Sequence, residues 1–558
     1  MQVLRHIYNT FVPTEPVPFK AKADNSAYNS SNESSDDSNT EKINDGSSGE
    51  PTEIRRYCSF STIDDLKSEG NDEVKTNLEV SHVLGLGMED EIPPIDKFIQ
   101  FCVDITGSMY TCLLIWAIIA VWIILGIIFK APNNWQIIMQ DGQSIQTYIW
   151  DTFLMRQQLD DTRKSLRIYG NLRSRSESLK ILLAKAKSQS QANKNNLQLA
   201  APLNPEQSSN STFELSIERK KLNWFEKLSN FISKYLGSLA AIIIYWIGVF
   251  VWIGCGALTS ATGNNPPYTG KFTGSNPQYG TFTNTWQMYI NTAVALELLI
   301  TSVFLENIRL RNNSVGRQKL QEFIEYDAKL ELRLREITGY KGDNPAVVVY
   351  PCPREGIQKW ISTYAGIVGN GLGLLITTCV FAAWLGVGDL MSWSDNWWLI
   401  IGTYTGLVGF IDGFVLREVY FCITNHEEKM YEIIIDESQN LMDLAGFDYH
   451  IKEQAKVEYH GFFTTLSLRI STFINDICSS KWSVVFSVIV VVGLIACASA
   501  LKWSVTGQLI ANTPTMIIEG FFLLILIQAN NWADLKRNKT IYQLAKTRKM
   551  LFEYIETI

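Results

Sequence analysis

Four apolar runs decide what this chain can become. Leu113 to Phe129, Leu239 to Ile253, Leu372 to Leu385 and Val484 to Ala498 are nearly free of ionisable groups. At about 1.5 Å of rise per residue, such runs match a hydrocarbon core of roughly 30 Å. The stretches between them hold most of the charge, so the net charge of -7 averages over unlike segments and points to no partner such as nucleic acid. The expected class is an all-α polytopic membrane protein with about eight spanning helices.

The apolar runs are preceded by a segment of the opposite character. Residues 1–96 are rich in Ser, Asn, Asp and Glu, with SSNESSDDSNTEKINDGSSGE as the extreme. That composition buries too little apolar surface to offset the entropy of ordering, so a disordered cytosolic tail is expected. Met1 to Thr14 has no basic start, long apolar core or small-residue cleavage site, which leaves the first span to act as its own insertion signal. Cys112, Cys255, Cys379 and Cys497 fall inside predicted spans, and no CxxC pair occurs. They read as small apolar packing residues.

Each apolar run is followed by a more polar one, which gives four hairpins at 97–157, 237–307, 363–421 and 482–532. Their second members align: WQIIMQDGQSIQTYIWDTFLMRQQ from Trp135, WQMYINTAVALELLITSVFLENIRLR from Trp286, WLIIGTYTGLVGFIDGFVLREVYF from Trp398 and GQLIANTPTMIIEGFFLLILIQANNW from Gly507. In this register one rung holds Gln140, Asn291, Thr403 and Asn512, and the next holds Asp141, Thr292, Tyr404 and Thr513. These amides and hydroxyls either line a path or cap free backbone N–H groups near helix starts, and the two roles are compatible.

Lys and Arg concentrate in the segments 158–236, 308–362 and 422–481 and in the C-terminal helix 533–558, whereas the opposite loops contribute chiefly Lys130, Lys271 and Lys502. The positive-inside bias therefore places both termini in the cytosol and makes the four repeats parallel. Parallel hairpins imply pseudo-rotational symmetry around a central path. Stretches such as EFIEYDAKLELRLREI predict that the even-numbered spans continue into the cytosol as a helical bundle.

Ionisable groups at membrane depth are expensive, so each is a functional candidate. Asp141, Ser144, Tyr148, Asp151 and Met155 share one face of the second span; Thr405 and Asp412, like Asn512 and Glu519, are two turns apart on theirs. The rival reading pairs such acids with Arg156, Arg309 or Arg417 to hold helices together. Glu297 and Glu306 lie outside the shared register, and Glu306 is expected at the cytosolic mouth beside Arg309. All five histidines fall outside the spans. The expected ligands are therefore oxygens, suited to hard or borderline divalent cations, with Met139, Met155 or Met288 as soft additions. No GxxxxGK[ST] loop, dinucleotide fingerprint or nucleophile triad is present, which argues against an enzyme or an ATP-driven pump.

WQIIMQDGQSIQTYIWDTFLMRQQ, NNWWLIIGTYTGLVGFIDGFVLREVYF and TGQLIANTPTMIIEGFFLLILIQANNWAD resemble the signature stretches of the fungal low-affinity iron permeases, a likeness running from about residue 100 to 540. The second hairpin also resembles small bacterial members built from one such segment. The resemblance implies plasma-membrane uptake of ferrous iron, with copper, zinc, manganese or cobalt less preferred as cargo and no resident cofactor. Asp141, Gln143, Asp151, Asp412 and Glu519 carry over by position; at Glu297 and Glu306 the family has uncharged polar residues. The candidate ion ligands are thus Asp141, Gln143, Asp151, Asp412, Glu519, Asn291, Asn512, Gln140, Thr403 and Met139. A broad cation channel gated by the cytosolic helices is the alternative, a metalloenzyme or metal-sensing scaffold a third reading, and the sequence leaves room for a homodimer in the lipid.

Overall fold

The computed structural model describes residues 17–21, 101–103, 105–130, 132–192, 223–258, 281–369, 371–456 and 462–556. Twelve helices and two short strands are formed within them. In chain order these are β1 (Val17–Phe19), α1 (Met109–Phe129), α2 (Asn133–Ala192), α3 (Trp224–Leu236), α4 (Leu239–Leu258), α5 (Asn284–Thr338) and β2 (Val347–Val349). There follow α6 (Ile357–Val368), α7 (Gly371–Val387), α8 (Asp395–Ala445), α9 (Ile451–Ala455), α10 (Phe462–Cys478), α11 (Lys481–Ala500) and α12 (Val505–Glu556).

Length sorts these helices into two kinds. Helices α1, α4, α7 and α11 have 21, 20, 17 and 20 residues and mostly expose their apolar side chains, as lipid-facing helices do. Helices α2, α5, α8 and α12 have 60, 55, 51 and 52 residues. At about 1.5 Å per residue they run for roughly 75–90 Å, more than twice the depth of a bilayer core. Their N-terminal halves stand among the short helices while their C-terminal halves extend well past them.

Among the described residues six helices are long and apolar enough to cross a bilayer: α1, α4, α5, α8, α11 and α12; a seventh span results if α6 and α7, bent by 65° at their junction, count as one. The expected eighth, α2, falls short by composition. Its first turns carry Gln136, Gln140, Asp141, Gln143 and Ser144, and all five are buried against other helices rather than offered to lipid. A helix surrounded by protein does not need an apolar surface, so hydropathy understates it.

The four long helices pack as a ring in the order α2, α5, α12, α8, and the diagonal pairs α2·α12 and α5·α8 do not pack comparably. All four run the same way. From one end to the other α2 meets α5 through Gln140–Thr292, Gln146–Ser302, Asn313–Asp161 and Arg175–Glu331, with residue numbers rising together on both helices. Asn284–Thr506 and Lys319–Asn538 do the same for α5 and α12, and Ser165–Glu427 and Arg173–Glu437 for α2 and α8. The ring order is not the sequence order of the hairpins, since the fourth sits between the second and the third.

Before α4, α7 and α11 come the amphipathic helices α3, α6 and α10, which expose Trp224, Phe231, Trp360 and Phe473. The C-terminal halves of the ring share a separate apolar core that includes Leu172, Leu179, Phe323, Leu330, Met442, Leu544 and Leu551.

The expectation of a disordered tail fails at residues 17–21. Val17–Phe19 pairs antiparallel with Val347–Val349, Phe19 lies against Gly170, and the Ala21 amide donates to Ser174 Oγ at 3.0 Å. A valine, a phenylalanine and a free strand edge supply what the polar stretch lacks, an apolar contact and backbone partners. The rest of the expected tail lies outside the described residues.

Candidate cation path between the long helices

A recurring tryptophan clasp fixes how three of the four long helices start. Trp122 and Trp135 stack with centroids 3.8 Å apart, and each indole N–H donates to the other's carbonyl, at 3.0 and 2.7 Å. Trp252 with Trp286 and Trp384 with Trp397 repeat this arrangement at 4.0 and 4.2 Å. Within a membrane an indole N–H has no water to turn to, and the reciprocal bonds satisfy both rings at once.

The clasp also corrects a register. Trp397, not Trp398, is the counterpart of Trp135 and Trp286. The turn before it agrees: Ser392 and Trp393 adopt positive φ just as Lys502 and Trp503 do, and Trp393 N donates to the Gly388 carbonyl as Trp503 N does to that of Ala498. The third hairpin therefore slides by one residue. Gly402 takes the amide rung beside Gln140, Asn291 and Asn512, and Thr403 drops to the rung of Asp141. Nothing in the local sequence favours one adjacent tryptophan over the other; the stacking partner on α7 decides.

Gly402 matters because of what faces it. A side-chain carbon on Gly402 would lie 2.5 Å from Asp141 Oδ1, and one on Gly409 would lie 3.2 Å from Glu519 Oε1. Gly406 likewise faces Asn512 Oδ1. One face of α8 is thus bare backbone, and polar groups from α2 and α12 fill the space. The signal was legible as glycines spaced four and three apart in GTYTGLVG, but only the packing shows what they admit.

The oxygens along this interior lack donors. Gln140 Nε2 donates to Thr292 Oγ1 at 3.1 Å and Gln143 Nε2 to Thr147 Oγ1 at 2.6 Å, yet the carbonyl oxygen of each amide accepts nothing. The same holds for Gln136 Oε1, Asp141 Oδ2, Asn291 Oδ1, Gln508 Oε1 and Asn512 Oδ1. All of these side chains are buried. Buried acceptors are ordinarily paired, so a row of unpaired ones, contributed by three of the four helices of the ring, is the unusual feature of this protein. Pro514 adds to it, because it has no N–H to give the Ile510 carbonyl.

The carboxylates gather deeper, about 15 Å along the helices at the standard rise. Asp151 lies within electrostatic reach of Asp412 and Glu519, and Glu519 within reach of Glu297. Asp412 Oδ1 accepts from the Tyr364 hydroxyl of α6 at 2.6 Å, while its Oδ2 accepts nothing. Glu297, outside the sequence register, lies against Gly520 close to the Tyr245 hydroxyl. Position in the repeat made it look misplaced, but the helix packing brings it beside Glu519. Glu306 is fully buried rather than at an open mouth. Among the described residues no three His, Cys, Asp or Glu side chains converge to hold an ion, so the acids are strung along a route and do not form a cage.

Met139 does not belong to this set. It sits in an apolar cluster with Cys112, Ile115 and Trp122, because a residue two positions from Asp141 on a helix faces away from it. Met155 and Met288 are likewise buried among apolar side chains. Sequence reasoning overlooked Gln136, Gln508, the Tyr364 hydroxyl and the glycine face of α8.

Comparison with known proteins bears on this arrangement. The low-affinity Fe(2+) transport protein of Saccharomyces cerevisiae is 47% identical over 469 residues, covering 83% of this chain and 83% of the yeast protein. The chain belongs to the low-affinity iron permease family. A family model described as low affinity iron permease matches residues 467–549, which span α11 and most of α12. The low-affinity iron/zinc ion transport protein fet4 of Schizosaccharomyces pombe is 37% identical over 463 residues, 81% of this chain and 71% of that protein. No solved structure matches the chain. The family is one of permeases and not of enzymes.

Proposed function

We propose that this protein is a plasma-membrane permease that takes up divalent transition metal ions at low affinity, chiefly Fe2+, through the polar interior of α2, α5, α8 and α12. The observation that carries this is the row of buried oxygens without donors, which leads from the amides near the helix starts to Asp151, Asp412, Glu519 and Glu297. A cation can satisfy such a set of acceptors, and the carboxylates add a preference for positive charge that neutral water would not meet. Amide and hydroxyl oxygens replace part of the ion's water shell, and the carboxylates below offset its charge.

Low affinity follows from the same geometry, since an ion meets acceptors in succession and must leave each of them. Oxygen ligands rank Fe2+, Zn2+, Mn2+ and Co2+ closely, which agrees with the iron and zinc in the relatives' names.

The Lys and Arg distribution supports cytosolic termini, and the clasps and shared ring support counting α2 as the eighth span of four parallel hairpins. An inside-negative potential then favours cation entry by about 2.3 kcal/mol per charge per 100 mV. One chain supplies all four walls of the path, so a homodimer would carry two paths side by side. The relatives are both named as transport proteins, and no observation favours the channel alternative.

Radiolabelled iron uptake by cells expressing Asp412→Asn or Glu519→Gln tests this reading. Uptake should fall at least tenfold at equal surface abundance. Unchanged uptake in both variants would remove these carboxylates from the path.

A further inference from the structure

Beyond the membrane-depth acids the ring encloses a second polar space. A cavity of ≈120 Å³ has walls from all four long helices, including Asp161 of α2, Asn313 of α5, Glu427 of α8 and Asp534 of α12. That volume holds several waters or one partly hydrated cation. Along the axis the next turns contribute Leu166, Ile434 and Ile541 to a dry apolar core. An ion arriving here cannot continue along the axis and has to leave sideways.

The lining is acidic on balance. Asp161, Glu427, Glu428, Glu432 and Asp534 outnumber Arg309, Lys536 and Arg537. Arg537 also lines a smaller neighbouring space of ≈50 Å³ that shares Asp161, Asn313 and Glu427, so its guanidinium stands between the two. It donates to Asp534 through one terminal nitrogen, and its Nε donates to nothing. Burial by itself would lower its pKa, but Asp534, Glu427, Tyr431 and Tyr420 hold it above the ordinary arginine value. Neutral donors also reach these acids: Asn313 Nδ2 donates to Asp161 Oδ2 at 2.5 Å and Ser165 Oγ to Glu427 Oε1 at 2.9 Å. Gln158, 3% exposed, lines the same cavity with a side-chain oxygen that accepts nothing. At the rim, Lys536 of α12 pairs with Glu428 of α8 at 2.6 Å in an exposed position.

We propose that this cavity is an inner divalent-cation site at the exit of the path: with Arg537 among them, Asp161, Glu427 and Asp534 do not converge on one point, and the passing metal competes for them with this tethered cation. The proposal rests on the permease reading above. Metal entry displaces the guanidinium, and opening of the Lys536–Glu428 pair between α8 and α12 releases the ion to solvent.

Mn2+ binding to the purified full-length protein, counted by electron paramagnetic resonance, tests the site without depending on transport. Arg537→Gln should gain one Mn2+ site at least tenfold tighter than any at this level in the parent, and adding Asp161→Asn with Glu427→Gln should abolish the gain. In proteoliposomes, Arg537→Gln should raise flux at subsaturating metal at least threefold. A folded Arg537→Gln protein with no added Mn2+ site would overturn the proposal. Should that variant not fold, Arg537→Lys serves instead, and Mn2+ must then bind at concentrations at least threefold below those of the parent; no shift overturns the proposal. The combination Asp412→Asn with Arg537→Gln separates the two readings. Normal flux there would sink the path while the Mn2+ count still judges the inner site.

Discussion

The same four helices bury polar groups in two different ways. In their C-terminal halves the buried acids have arginines: Glu331 takes Arg175 at 2.5 Å and Arg335 at 2.9 Å, and Asp327 takes Arg548, all with side chains essentially inaccessible to solvent. In their membrane halves, Asp141, Asp412 and Glu519 have neither lysine nor arginine bonded to them. One arrangement neutralises charge within the protein and the other leaves negative charge to be matched by something that arrives. The difference teaches that burial alone says little about a carboxylate's role, and that the charge packed against it has to be read as well.

The largest effect should come from breaking a pair that is already complete. Glu331→Gln strands Arg175 and Arg335 in the distal core and should cost about 3–5 kcal/mol, seen as a lower melting temperature and reduced abundance in detergent. The matching change in the membrane half should act in the opposite sense on stability. Asp412→Asn or Glu519→Gln removes a carboxylate with no lysine or arginine bonded to it, so the melting temperature should hold or rise while uptake falls at least tenfold. A destabilised, transport-competent Glu519→Gln protein would erase the distinction between the two halves.

Smaller effects sharpen it further. Trp384→Phe keeps the stacked ring but leaves the Trp397 carbonyl without its donor, and should lower stability by about 1 kcal/mol with uptake reduced only in proportion to abundance. Gly409→Ala adds a methyl 3.2 Å from Glu519 Oε1, a contact that a small side-chain shift relieves. Its expected signature is a two- to threefold loss of uptake without loss of fold, measured as metal flux per molecule at the surface. Gly402→Ala, which meets Asp141 more closely, should exceed it.

Legibility varied with the range of the interaction involved. The hairpin pattern, the parallel sense and most candidate ligands follow from hydropathy and spacing, because a helix puts every third or fourth residue on one face whatever surrounds it. Met139 shows the limit: its softness suggested a ligand, but two positions from Asp141 it points into apolar packing. Glu297 shows the converse, since a residue out of register in its own repeat still reaches Glu519 once α5 lies beside α12. The strand at Val17–Phe19 was hidden because its partner lies more than 300 residues away.

The sequence by itself determined that the chain is a polytopic membrane protein and that its polar residues fall on alternate helices, because these depend on composition and local periodicity. Only the tertiary structure decided the ring order α2, α5, α12, α8, the one-residue slide at Trp397, the glycine face that admits Asp141 and Glu519, and the place of Arg537 among the acids of α2, α8 and α12. Each of these is set by contacts between helices distant in sequence, where packing and the need to partner buried polar atoms choose among registers that local chemistry leaves equal.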